Sequence, residues 1–188
     1  MKYHIVPLTA SHKDEFIRLI RLAFSSDPLF EKLFANITDS KRKKRYEEVL
    51  LSFLFDQCLY LSGKVLGGFY DGRLVCAALL DVAEVPFRQR WLGWCKLLPA
   101  FAALLLHFPF KQGQFLNRYF LHSRRLMPHS PHYYLTLIGT LPDCQGKGFG
   151  KALIQQALME AANYEHATGT GTGYGKPCEC RALSEAWL

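Results

Sequence analysis

Between residues 142 and 151 the chain reads Pro-Asp-Cys-Gln-Gly-Lys-Gly-Phe-Gly-Lys, with glycine at every second position from Gly146 to Gly150. Glycine lets a backbone come close to a ligand and take left-handed conformations, and free N–H groups at a helix start attract phosphate oxygens. Lys147 and Lys151 add positive charge at the same place. The chemistry on offer is anion binding. Two nucleotide motifs fail on spacing. A P-loop needs Gly-x-x-x-x-Gly-Lys and then Ser or Thr, whereas here Gly139 is too far from Gly146 and Gly148 follows Lys147. The dinucleotide fingerprint needs Gly-x-Gly-x-x-Gly, and this loop has Gly-x-Gly-x-Gly. An ordinary tight turn is the alternative to a phosphate cradle at this point.

A second set of residues could move protons. A general base must lie within hydrogen-bond reach of its substrate, directly or through one water. Asp81 and Glu84 follow the third expected strand, and His132, of a residue type that titrates near neutrality, precedes the fourth. A surface or structural role is the competing reading for each. Glu31 is a further candidate, as a contact for a cationic substrate. The six cysteines are irregularly spaced, and Cys178-Glu179-Cys180 supplies only two ligand cysteines, too few for a tetrahedral site. No metal is expected. The N-terminal Met-Lys-Tyr-His-Ile lacks a long apolar run, so reduced thiols and a cytoplasmic location are the expectation.

The elements that must position these residues follow from periodicity. The chain has 188 residues, 49% of them apolar, and a formal charge of +7, which fits one folded domain and excludes a disordered chain. Ile5-Val6-Pro7-Leu8 reads as a strand. Ser11 and Asp14 resemble a helix-capping pair, and Phe16, Leu19, Ile20 and Ala23 then share a helical face that should end near Asp27-Pro28. A loop is expected over residues 27–34. Tyr46, Val49, Leu50, Phe53, Leu54 and Cys58 keep helical rhythm within a helix expected from Asp39 to Ser62. Residues 64–70 and 73–81 flank Asp71-Gly72, a hairpin signal. Arg124 and Arg125 fall in an expected loop ending at Pro131. Residues 133–138 read as a strand, and Gly139 near its end marks a bulge or a close backbone approach. After the glycine loop, Leu153, Ile154, Ala157, Leu158 and Ala161 share one helical face.

Two stretches raise other partners. Lys41-Arg42-Lys43-Lys44-Arg45 carries five positive charges, read as a solvated first helical turn or an anion patch. A general nucleic-acid binder would carry a broader basic face, so no nucleic-acid partner is expected. Residues 91–110 hold 15 apolar residues in 20, interrupted by Lys96, Pro99, His107 and Pro109. A buried or substrate-covering helical insertion over residues 91–130 is expected in preference to a membrane-surface helix or a span.

Gln145-Gly146-Lys147-Gly148-Phe149-Gly150, placed after a hydrophobic strand and Pro142 and before a helix, resembles the Gln/Arg-x-x-Gly-x-Gly/Ala signature of the GCN5-related N-acetyltransferase (GNAT) superfamily. Ser62-Gly63-Lys64-Val65 and Pro131-His132-Tyr133-Tyr134-Leu135 resemble the puromycin N-acetyltransferase branch. The likeness runs over residues 3–162 of one domain, 1–188, with a divergent tail over 163–188. It implies an α/β fold with a mixed, mostly antiparallel central sheet flanked by helices. It also implies acetyl-CoA as co-substrate and direct attack by an amine of a small molecule, with no acyl-enzyme. The backbone amides of Gln145, Gly146, Lys147, Gly148, Phe149, Gly150 and Lys151 would cradle the pyrophosphate. The backbone of Ile138, Gly139 and Thr140 would hold the pantetheine arm, an amide near Ile138 would meet the oxyanion, and Cys144 would be a bystander.

The likeness departs at its end. The Asn-x-x-x-Phe-Tyr segment, whose tyrosine is the family's common general acid, has no counterpart, so no acid is carried over; Tyr174 stands in a different context. A Thr/Gly tract over residues 168–175 reads as a loop, and residues 176–182 could form a fifth strand, with the family's later strands missing. An exposed sheet edge would then be covered by a second copy of the chain, or the domain would be a shortened, catalytically impaired acyl-CoA-binding module.

Overall fold

The computed structural model describes residues 3–35, 37–82, 87–125 and 133–167. Four strands, β1 (Tyr3–Pro7), β2 (Gly63–Tyr70), β3 (Arg73–Val82) and β4 (Tyr133–Thr140), form an antiparallel sheet in chain order. Asp71 and Gly72 join β2 to β3 with φ of 49° and 78°, the pair of positive values that a two-residue hairpin turn requires.

Helix α1 (Lys13–Ala23) buries Phe16, Leu19 and Ile20 against one face of the sheet, at the spacing that sequence periodicity predicts. Its entry differs from the expected Ser11/Asp14 pair. A single 3-10 turn, Ala10–His12, comes first, and the Thr9 N–H donates to His12 Nδ1 at 3.1 Å. Residues expected as a loop form helix α2 (Pro28–Phe34), because the Asp27 carboxylate accepts from the N–H groups of Leu29 and Phe30 and Pro28 stands in the first turn.

Helix α3 (Ser40–Gln57) is capped by Asp39, which accepts from the Lys41 N–H at 2.9 Å. The basic run forms its exposed first turns, as the solvated-turn reading expects, with Arg42 beside Asp39 at 3.5 Å. The expected single helix to Ser62 instead widens into a π-turn over Cys58–Ser62 before Gly63. Lys13 on α1 meets the buried Asp56 on α3 at 2.6 Å, and Arg21 meets Glu47 at 2.9 Å and Glu48 at 3.4 Å, so three ion pairs tie these helices together.

Helices α4 (Phe87–His107) and α5 (Phe110–Arg125) follow. Arg124 and Arg125 close α5 and are not in a loop. The elbow between α4 and α5 is pinned by Phe108, whose buried ring lies 6.3 Å from those of Phe34 and Tyr46 in a small second core. Its neighbours Leu105 and Phe110 are 67% and 77% exposed. Among the described residues no single helix is long and apolar enough to cross a membrane; Gly93–His107 and Phe110–Arg118 form an apolar pair bent by 119°.

Helix α6 (Phe149–Ala167) covers the other face of the sheet. Adjacent residues of β4 show the two faces directly. A Cβ on Gly139 would stand 2.8 Å from Ile20 Cδ1 of α1, whereas Thr140 Oγ1 lies 3.2 Å from the Cβ position of Gly150 at the start of α6. Gly139 therefore marks a close approach, not a bulge. The tail over residues 168–188, with its expected loop and fifth strand, lies outside the described residues.

Candidate active site

The glycine loop is built by the return of the chain from β4 to α6. Leu141 N–H donates to Val75 O at 2.9 Å, and Pro142–Cys144 make one 3-10 turn that buries Cys144. Gly146 and Gly148 then take φ of 75° and 83°, values that cost an L-residue about 1–2 kcal/mol, and both Cβ positions face open space. Helix α6 starts at Phe149, with its first internal bond from Ala152 N–H to Gly148 O at 3.0 Å, so the donors of its first turn lie beside these glycines.

Side chains brace the loop. Gln145 Nε2 donates to Thr140 O at 3.3 Å, and Lys147 Nζ donates to Asp143 O at 2.9 Å. Arg73 pairs with Asp143 at 2.9 Å, and this guanidinium holds the carboxyl below its ordinary range. Tyr3 Oη donates to Phe149 O at 3.2 Å, and the Tyr3 ring packs 4.9 Å from that of Phe149. The Gln145 N–H is engaged by Pro142 O at 3.3 Å, so the backbone donors free to face a ligand begin at Gly146.

Strand β4 is an edge among the described strands. Antiparallel ladders alternate backbone groups between the neighbouring strand and the open side. Since Leu141 bonds Val75 and Gly139 stands opposite Ala77, Gly139 turns its backbone to β3, leaving the groups of Ile138 and Thr140 on the open edge. Further back, Leu79 is opposite Leu137 and Leu80 opposite Leu135, so Thr136 is the extra residue of a β-bulge.

The bulge opens beside a cavity of about 560 Å³ enclosed by α3, α4, α5, β3 and β4. Thr136 and Tyr134 form part of its floor, with Asp81 directly opposite Tyr134 in the register. Cys58 also reaches the cavity. Burial, together with the nearby Asp81 charge, pushes the Cys58 thiol up to about 12, so it stays protonated at neutral pH. Its Sγ lies 3.3 Å from Leu80 O.

Of the base candidates, Asp81 is brought to the cavity; Glu31, the candidate contact for a cationic substrate, is exposed on α2 and does not line it. His132 and Glu84 lie outside the described residues. The loop residues Gln145 to Lys151 are gathered at one end of β4 and Asp81 at the other. Sequence reading assigns Tyr134 and Thr136 no site role, whereas α4 and α5, which line the cavity, fall in the segment expected as a buried or substrate-covering insertion. The signal that could have pointed to Tyr134 is its place opposite Asp81, which needs the register of β4, and that register is shifted by a bulge the sequence does not announce. Among the described residues no group of three or more His, Cys, Asp or Glu could hold a metal ion.

Comparison with known proteins agrees with this architecture. The structure is similar to one described as a histone acetyltransferase HPA2 and related acetyltransferase from Corynebacterium glutamicum, at 17% identity, 95% and 91% coverage of the two chains and a TM-score of 0.59. It is also similar to a candidate acetyltransferase of Pyrococcus horikoshii, at 14% identity, 85% and 74% coverage and a TM-score of 0.50. A GNAT family acetyltransferase from Brucella melitensis, solved in complex with acetyl-CoA, matches at 15% identity over 85% and 68% of the chains, with a TM-score of 0.41. No curated protein matches the sequence significantly. The profile of the acetyltransferase (GNAT) family matches residues 31–170, a span that holds the hairpin, the cavity walls and the glycine loop, and the chain belongs to that family.

Proposed function

We propose that this protein is an acetyl-CoA-dependent N-acetyltransferase that moves an acetyl group directly onto the amine of a small molecule. The observation that carries the reading is the junction from β4 through the glycine loop to α6. There, two left-handed glycines leave open space beside the first-turn donors of a helix. That space fits a pyrophosphate, which the amides of Gly146, Lys147, Gly148, Phe149, Gly150 and Lys151 would hold, with Lys147 and Lys151 supplying counter-charge. Gln145 acts through its side chain, fastening the loop to Thr140. Ile138 offers its open-edge N–H and C=O and Thr140 its N–H to the pantetheine arm, and Gly139 serves by admitting α1 behind the strand.

Acetyl-CoA would supply an acetyl thioester, from which the amine takes the acetyl group while the CoA thiolate leaves and a proton is lost from nitrogen. Asp81 holds the amine at the bulged end of β4 and takes that proton. His132 is the other base candidate. Neither Cys58, held as a thiol, nor the buried Cys144 serves as a nucleophile, which supports direct transfer. The likeness of Ser62-Gly63-Lys64-Val65 and Pro131-His132-Tyr133-Tyr134-Leu135 to the puromycin N-acetyltransferase branch supports a small-molecule acceptor with apolar surface. A cytoplasmic setting, with Cys58, Cys76, Cys95 and Cys144 free, completes the reading.

Thiol release from acetyl-CoA across a panel of primary amines tests it. Amine-dependent release that tracks formation of an amide product is expected. Saturable acetyl-CoA binding with no release for any amine would instead leave an acyl-CoA-binding module.

A further inference from the structure

We infer that the acceptor is an amphiphilic amine, an alkyl- or arylalkylamine whose tail fills the cavity beside β4; this rests on the acetyltransferase reading above. The cavity lies within the ~300–1,000 Å³ that suits drug-sized ligands. Its walls are aliphatic and aromatic, with Phe53 and Leu54 from α3, Phe101 and Leu104 from α4, and Leu116 from α5. Asp81 is the only charged side chain among the described residues lining it.

That division has a chemical meaning. A polyamine or an aminosugar carries several charges and hydroxyls, each needing a partner once it leaves water. Beyond Asp81 the cavity provides neutral groups, among them Gln57, Gln114 and Asn117, and no second carboxylate among its described lining. One ammonium or amine head is matched at the floor, and the remainder of the ligand meets hydrocarbon. The rings of Phe53 and Phe101 stand 6.1 Å apart, a wall against which a chain or flat ring can lie. At the mouth, Leu105 and Phe110 line the cavity while mostly exposed, so the apolar path reaches the surface at the elbow. A tail too long for the cavity can emerge there.

The test is a homologous series from butylamine to decylamine, with spermidine and kanamycin as polar amines, read as kcat/KM for thiol release. Each buried methylene should raise kcat/KM by up to about fourfold until the cavity is filled. Octylamine should therefore exceed butylamine by roughly 100-fold, with both polar amines below octylamine. Leu105→Lys changes an exposed mouth residue and should cost octylamine at least about tenfold more than butylamine, by placing a charge where the tail lies.

Binding is measured in parallel, by calorimetry with octylamine, butylamine and octanol. Tighter binding of octylamine than of both others, with its advantage over octanol lost in Asp81→Asn, supports the inference even if no amine is acetylated. In that case the catalytic reading alone falls. A flat chain-length series in both turnover and binding, or spermidine or kanamycin as the better substrate, would overturn it.

Discussion

Strand β4 carries two different kinds of site at its two ends. At its C-terminal end the loop from Pro142 to Lys151 is contiguous in sequence. Its geometry follows from glycines at φ of 75° and 83° and from a helix start. At its N-terminal end the cavity is assembled from α3, β3, α4, α5 and β4, with a lining that runs from Leu50 to Thr136 in the chain. The loop is chemistry in local form: backbone donors, small residues and two lysines, with nothing in it that selects an acceptor. The cavity is made of side chains, and side chains set which molecule enters. A family can thus keep the first and vary the second.

The sharpest way to break the loop half is Gly148→Glu. The substitution forces a side chain at a φ of 83° and puts a carboxylate where the proposed function places the pyrophosphate, so acetyl-CoA affinity should fall at least ~100-fold. Calorimetry on a sample with unchanged circular dichroism checks it. At the other end, Asp81→Asn should lower kcat by about 10²–10⁴-fold, the usual contribution of a general base, while KM for acetyl-CoA stays put. Steady-state kinetics separate the two effects. If both variants lost acetyl-CoA binding alike, the division between the ends would fail.

Between them, Gly139→Val tests the wall that both ends share. Its Cβ would stand 2.8 Å from Ile20 Cδ1 and 3.1 Å from Ala23 Cβ, so the buried Ile20 side chain must turn and Ala23 give way slightly, at a cost of about 1–3 kcal/mol. A lowered urea midpoint with an unchanged slope is the expected readout. The smallest effect lies at the outer support. Lys64 on β2 pairs with Glu160 on α6, and this ammonium holds the Glu160 carboxyl below its ordinary 4.5. A carboxyl lowered in the folded state stabilises above its ordinary range, and that contribution disappears as pH falls through the lowered value. Lys64→Ala should thus cost about 0.2–1 kcal/mol at pH 7, for a half-exposed pair, and nothing in strong acid. Denaturation midpoints at the two pH values check it.

What the sequence revealed follows the same division. The hairpin at Asp71-Gly72, the α1 face of Phe16, Leu19 and Ile20, and the glycine loop each depend on residues near one another, so local rules find them. Helix α2 carries an equally local signal, Asp27 followed by Pro28: α1 ends before this proline, as the stop rule expects, and the same residue also opens α2, a second use that the stop rule does not announce. The engagement of the Gln145 N–H by Pro142 is likewise a detail of turn geometry that composition does not carry. Asp81 could be named from sequence, but its neighbours could not. Tyr134 meets it only through a strand register shifted at Thr136, and the elbow that closes the cavity is set by Phe108 packing on Phe34 and Tyr46, residues distant in the chain.

The central claim is that the loop at the start of α6 holds acetyl-CoA, and its most direct test is a calorimetric titration of the folded protein with acetyl-CoA at two salt concentrations. The account predicts saturable one-site binding that weakens only modestly with salt, because backbone amides and the β4 edge carry much of the contact, and that is lost in Gly148→Glu. Absence of binding by the folded wild-type protein, or wild-type affinity in folded Gly148→Glu, would contradict it.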